Sequence, residues 1–124
     1  MRRALLLLGG LLAASTLWAA VEISADEMRD AEDLLKSLDS NVSLKQPKAL
    51  EEARHLARYF QQVEAHYAAQ TDAVRGAEFA RGARQQAEAA AQAVSAGDYD
   101  AAFDAVDALQ RSCKQCHQVY KAKK

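Results

Sequence analysis

The sequence predicts an all-α protein that forms an antiparallel up-down-up-down four-helix bundle. Three observations lead to this fold class. Apolar residues recur every three or four positions in four segments, the chain beyond residue 20 is rich in Ala, Leu, Gln, Glu, Lys and Arg, and it contains one proline. These residue types favour helices, and this spacing places apolar side chains on one helix face. Short links between such helices favour antiparallel neighbours.

Residues 1–20 differ from the rest of the chain and predict a secretory signal peptide. Two arginines precede an apolar run over residues 4–17, and the small residues Ala19 and Ala20 mark the expected cleavage position. A membrane-spanning helix needs about 20 apolar residues, so an uncleaved anchor is the weaker alternative. We therefore expect a periplasmic protein, without membrane attachment after cleavage, whose one domain covers residues 21–124.

The charge balance gives no support to functions that need a strongly basic surface. The full chain has 16 basic and 17 acidic residues and a formal net charge of −1. Removing the two N-terminal arginines with the signal peptide leaves 14 basic against 17 acidic residues, or −3. Nucleic acids bind broad basic surfaces, so no nucleic-acid partner is expected. No nucleophile, base and orienting group form a recognisable catalytic set, and the protein is not expected to be an enzyme.

The first two helices have clear start signals. The first begins at Ser24, which forms a capping box with Glu27, and the polar residues 39–41 predict its end. The second starts near Pro47, because the missing N–H of proline has no cost at the first helical position. The inner faces of these two helices carry Met28, Ala31, Leu35, Leu38 and Val42, followed by Leu50, Ala53, Ala57, Phe60, Val63 and Tyr67.

Alanine dominates the third helix, and the two cysteines of the chain lie on the fourth. Thr71 and Asp72 predict the cap of the third helix, Gly97 predicts its end, and Asp98 predicts the cap of the fourth. So much alanine on one face predicts either close helix approach or room for a bulky group. The inner faces carry Phe79, Ala80, Ala83, Ala87, Ala90 and Val94, followed by Tyr99, Phe103, Val106, Leu109, Cys113, Cys116 and Tyr120.

The most informative motif is Cys113-Lys114-Gln115-Cys116-His117. Two thiols at this spacing can each form a thioether with a vinyl group of haem, and the adjacent His117 can bind the iron, so the motif predicts one covalent haem c. A structural zinc site takes four ligands, and a second close pair is missing. A thioredoxin-like pair needs a βαβ setting, and a disulfide across two residues would close only a tiny loop. A chance match within a helix is the remaining alternative.

With this motif at the end of the last of four helices, the chain resembles the class II c-type cytochromes, the cytochrome c′ family. The resemblance runs from residues 28–30 and 34–38 through the alanine-rich middle to residues 97–99 and 113–121. It implies a haem held against the fourth helix, with its distal face toward the first helix. The link between the second and third helices is short for the family, and no tryptophan precedes the third helix. Lys121 stands where the family usually has an arginine near the haem.

The resemblance implies two alternative functions. In the low-spin branch Met28 is the sixth iron ligand, and the protein carries electrons between redox partner proteins. In the high-spin branch Leu34 or Leu35 covers the distal face, and the iron binds small gases such as NO and CO. An ordinary core role for Met28 and a distal role for His66 are the further alternatives.

The basic residues near the motif favour a solvated C-terminus whose cations complement the helix dipole. Lys114 and Lys121 belong to this group. The functional alternative is a docking surface for an acidic redox partner. The sequence leaves a homodimer open.

Overall fold

The computed structural model describes residues 23–71 and 73–120, and in these residues it consists of helices without any strand. The helices are α1 (Ala25–Ser43), α2 (Ala49–Ala68), α3 (Val74–Ser95) and α4 (Tyr99–Val119). The all-α class and the four-helix bundle predicted from the sequence are confirmed. The predicted signal peptide and Lys121 lie outside the described residues. None of the helices within the described part of the chain is both long and apolar enough to cross a membrane.

The start of α1 is the predicted capping box. The Glu27 N–H donates to Ser24 Oγ at 3.1 Å, and the Ser24 N–H donates to Glu27 Oε2 at 3.3 Å. The predicted end at residues 39–41 is wrong, because the helix continues to Ser43. Asn41 does not terminate the helix: its side-chain amide donates to the buried carboxylate of Glu52 on α2.

Helices α1 and α3 end in the same backbone motif. After α1, Lys45 has a φ of 54°, its N–H donates to the carbonyl of Val42, and the next N–H donates to the carbonyl of Asn41. After α3, Gly97 has a φ of 73°, and the N–H groups of residues 97 and 98 donate to carbonyls of the last turn in the same way. This Schellman arrangement satisfies the helix-end carbonyls. The predicted stop at Gly97 is confirmed. The stop after α1 has Lys45 at the positive-φ position, so no glycine in the sequence indicates it.

Of the three other predicted helix starts, that of α4 is confirmed, and those of α2 and α3 differ in detail. Asp98 caps α4 as predicted, with its side chain accepting from the Ala101 N–H at 3.0 Å. Helix α2 begins two residues after Pro47, and Lys48 at its N-cap makes no side-chain cap. Helix α3 begins after Ala73, which also provides no side-chain cap, so the predicted cap at Thr71 is wrong. Asp72 lies outside the described residues.

Helices α1 and α2 run in opposite directions, and so do helices α2 and α3. Each helix packs against its neighbours in the sequence, and α1 also packs against α4. Two pairs of contacts show these directions. Between α1 and α2, Met28 contacts Tyr59 and Asn41 contacts Glu52. Between α2 and α3, Glu64 contacts Arg84 and Tyr67 contacts Gly76. These contacts agree with the antiparallel packing expected for helices joined by short links.

The core follows most of the predicted apolar faces, with two exceptions, Leu56 and Phe103. Leu56 is fully buried although it was not predicted to face inward. The largest side chains that are fully buried are Leu38, Leu56, Leu109, Val42 and Val106. Phe103 was predicted to face inward and is 50% exposed, so that prediction is wrong. The inner face of α4 passes instead through Ala102 and Ala105, which lie four residues before the buried Val106 and Leu109, respectively.

Candidate functional site

A cavity of about 190 Å³ lies at the end of the bundle where α1 and α3 begin and α2 and α4 end. All four helices line it. Its walls are Ile23, Ser24, Ala25 and Met28; Phe60, Val63, His66 and Tyr67; Phe79, Ala80 and Ala83; and Ser112, Cys113, Cys116, His117 and Tyr120. The fold therefore brings Met28, at the start of the domain, to the same cavity as the Cys113–His117 motif at its end.

A second cavity of about 380 Å³ adjoins the first. Met28, Phe60, Cys113 and His117 border both cavities. The second cavity lies between α1 and α4 and has charged side chains of those two helices at its edge. Pockets that hold cofactors or drug-sized ligands occupy about 300–1,000 Å³, so the combined space suits a large ligand better than a bare ion.

The small side chains of α3 explain why space remains at this end. Ala80 and Ala83 line the first cavity and are both buried. Alanine fills little volume beyond its Cβ, so this face of α3 leaves room opposite the aromatic side chains of α2. The alanine-rich face predicted either close helix approach or free space, and free space is what the structure shows beside Ala80 and Ala83.

The two thiols are unpaired with each other and partly buried. Burial, with smaller contributions from the neighbouring Cys116 and Glu32, raises the pKa of Cys113 to about 11. Burial also raises the pKa of Cys116. Reactive redox thiols have a lowered pKa, typically beside cations or at a helix N-terminus. The environment of this pair is therefore unlike that of a thiol–disulfide exchange site.

Met28 has one polar neighbour, which sequence reasoning missed. The Tyr59 hydroxyl on α2 donates to Met28 Sδ at 3.9 Å. Burial raises the pKa of Tyr59 to about 12, with smaller contributions from Glu27, Tyr67 and Cys113. Tyr59 precedes Phe60 of the predicted inner face, but only the pairing of α1 with α2 reveals that it reaches Met28.

An aromatic group closes the cavity beside α3. The Tyr67 ring lies 5.0 Å from the His66 ring and 5.2 Å from the Tyr120 ring, centroid to centroid. Burial raises the pKa of Tyr67, and Cys116 and Tyr120 add to the increase. The ring also packs directly on Gly76, a residue that the sequence did not single out. His66 lines the cavity, as its predicted distal role requires, and its ring forms a hydrogen bond with Gln70 at 3.0 Å.

The structure separates the two leucines that were predicted as distal blockers. Leu35 is buried and lines the second cavity together with Met28 and His117. Leu34 instead lines a groove between α1 and α2, away from the two thiols. Lys114 is exposed at the edge of the second cavity, whereas Lys121 lies outside the described residues.

The donor set can be tested against the two kinds of site that the motif allows. Within residues 23–71 and 73–120, no three His, Cys, Asp or Glu side chains are grouped so as to hold a metal ion. A covalently attached haem needs less from the chain, since the macrocycle itself supplies four of the iron ligands. Two thiols, one imidazole and a largely apolar lining at one cavity fit that group.

No protein-family model, curated protein or solved structure matches this chain. The resemblance to class II cytochromes therefore stays a prediction.

Proposed function

We propose that this protein is a periplasmic c-type cytochrome that carries electrons with one covalent haem. A single observation carries the proposal: one cavity collects two thiols, an imidazole and a thioether, contributed by Cys113, Cys116, His117 and Met28. Two thiols and a histidine in this order are the signature of haem attachment. Their convergence with a methionine from the opposite end of the domain supports a two-sided iron site.

Each of these side chains has one role in the proposal. Cys113 and Cys116 would hold the haem through thioether bonds, and His117 and Met28 would bind its iron. The bound haem supplies a one-electron iron centre, and a soft thioether ligand and burial both raise its reduction potential. Lys121, four residues after His117, stays predicted to lie near the haem.

The lining of the first cavity is largely apolar, and the second cavity has charged side chains at its edge. Phe60, Val63 and Phe79 supply apolar walls, and a dry surrounding strengthens every electrostatic interaction with the iron. Lys36 and Lys114 lie at the edge of the second cavity, where a partner protein with acidic groups can dock. An electron carrier must dock with its redox partners, and this edge is the proposed docking surface.

The first experiment measures covalent attachment. The full chain is produced in a host that matures c-type cytochromes, and the intact mass is recorded after extraction with acidified acetone. We expect the mass of one haem to stay with the polypeptide, and to be lost in Cys113→Ala, Cys116→Ala. Ser112→Ala is the matched control, because Ser112 lines the same cavity without a thiol and should leave the haem mass in place. Bare polypeptide mass for the unmodified chain would end the proposal.

The second candidate function is binding of NO or CO to a five-coordinate iron. It is favoured by Leu35, which borders the second cavity beside Met28 and His117 and can cover the distal face. Visible spectra of the ferric and ferrous protein separate the candidates. Six-coordinate low-spin iron supports the electron carrier, and high-spin iron that takes up CO readily supports the gas-binding protein.

A further inference from the structure

The hydroxyl of Tyr59 on α2 donates a hydrogen bond to the Met28 sulfur on α1. Its distance to Sδ is 3.9 Å, within the range of an O–H···S hydrogen bond. Met28 borders both cavities, but Tyr59 lines neither of them. Tyr59 borders instead the groove between α1 and α2, with Leu34 and His55. Its hydrogen bond to Met28 therefore connects its hydroxyl to a side chain that borders both cavities.

The tyrosine ring is held in place independently of its hydroxyl. Tyr59 packs against the hydrophobic core, and its ring lies edge to face with the Phe60 ring, 5.4 Å from centroid to centroid. Phe60 in turn borders both cavities. Removing the hydroxyl should leave this packing intact, so that a phenylalanine substitution isolates the O–H···S contact.

A thioether sulfur has two lone pairs, and a hydrogen bond to one of them withdraws electron density from the other. A sulfur that donates less electron density to the iron stabilises the ferric state less. The ferrous state depends less on this donation and is therefore affected less. The contact therefore favours the ferrous state. We infer that Tyr59 is a positioning residue that acts through the Met28 sulfur and raises the reduction potential of the haem, an inference that rests on the proposed function.

The test compares Tyr59→Phe with Tyr99→Phe in the haem-loaded full chain. Tyr99 is also partly buried against the core, but it begins α4, about 20 Å along the helix axis from Cys113 at 1.5 Å per residue. We expect Tyr59→Phe to favour the ferric state about two- to fivefold, the factor that a hydrogen bond of modest net strength contributes. At about 59 mV per tenfold change for one electron, the potential falls by roughly 20–40 mV.

A second readout is specific to the sulfur. Met28 is the only methionine among the described residues, so the methionine methyl carbon can be labelled and followed by NMR in the ferrous protein. Ligation places this methyl above the macrocycle, where the ring current shifts its signal strongly upfield. Tyr59→Phe should keep that upfield signal with a changed position, and should displace the ferric sulfur-to-iron charge-transfer band. Tyr99→Phe should change neither.

Each outcome decides the inference. A lower potential and a displaced band in Tyr59→Phe alone support it. An upfield Met28 methyl in the unmodified protein, together with an unchanged potential in Tyr59→Phe, overturns the inference and leaves the proposed electron carrier intact. A five-coordinate unmodified protein overturns the inference and favours the gas-binding function. A protein without covalent haem mass overturns both the inference and the proposed function.

Discussion

Replacing Gly76 on α3 with alanine tests the close contact between this residue and Tyr67, which lines the first cavity. A Cβ at Gly76 would lie 2.7 Å from both Cγ and Cδ1 of Tyr67. Carbon atoms pack best about 3.5–4.0 Å apart, so the ring would have to move by roughly 1 Å. The Tyr67 ring touches the rings of His66 and Tyr120, and both neighbours restrict that movement.

The magnitude follows from two opposing effects. Alanine stabilises a helix interior by about 0.5–1 kcal/mol relative to glycine, whereas forcing extra atoms into a packed site costs about 1–3 kcal/mol. Gly82 provides the matched control, because it lies on the same helix and a Cβ there meets no atom within 4 Å. We expect Gly82→Ala to be more stable than the unmodified protein and Gly76→Ala to be less stable than Gly82→Ala by about 1–3 kcal/mol.

Urea denaturation of the two holoprotein variants, followed by helical circular dichroism, measures this difference. The clash can be identified by repeating both substitutions in a Tyr67→Ala background, where the cost of Gly76→Ala should vanish as in a double-mutant cycle. Equal stabilisation by Gly76→Ala and Gly82→Ala in the unmodified background would show that Tyr67 does not pack on Gly76, and would refute the reasoning.

Three further changes test other parts of the molecule. Met28→Ala should give high-spin iron, a lower potential and faster CO binding in visible spectra, whereas a methionine that only packs would leave the spectra alone and cost about 2–5 kcal/mol of stability. Burial opposes ionisation of Glu64, but hydrogen bonds from Arg84 and a second arginine of α3 lower its pKa. Stability from this ion pair is present above the unfolded carboxyl pKa of about 4.3 and is lost as pH falls through the folded value. Glu64→Gln should therefore lower the urea midpoint more at pH 7 than at pH 3; an equal loss at both would contradict this. Haem-free Cys113→Ala, Cys116→Ala should show broadened NMR signals around the cavity, and sharp, dispersed signals there would contradict the expected need for haem.

The helices were predictable because their signals are local. The capping box at Ser24 and the glycine stop at Gly97 involve residues within a few positions of one another, and both occur as predicted. The inner faces follow from the 3.6-residue period, which also explains the miss at Phe103: a shift of one residue rotates a side chain by about 100°. The end of α1 was not predictable, since Asn41 bonds with Glu52 on another helix.

The site was predictable only where the chemistry resides in adjacent residues. The Cys113–His117 motif is recognisable from the sequence alone, and the spacing of apolar residues places Met28 on the inner face of α1. The contacts of Tyr59 and Gly76 depend on which helices pack together and on their relative positions along the bundle axis. No local sequence pattern encodes either property. Their roles emerge from the Met28–Tyr59 contact and from the position of Tyr67 over Gly76.

The unequal packing of the bundle explains how it can keep a cavity and remain folded. Its fully buried large side chains, Leu38, Leu56, Leu109, Val42 and Val106, do not line the first cavity. The side chains with proposed chemical roles are all partly exposed: Met28, Cys113, Cys116 and His117. At about 24 cal/mol per Å³ of void, an enclosed space of about 190 Å³ would cost at most about 5 kcal/mol, a large share of the 5–15 kcal/mol that stabilise a typical domain. The tightly packed part can hold the helices together against that cost, and a covalent haem that fills the space would remove it. The same residues would then determine both the stability of this end of the bundle and the electronic state of the iron.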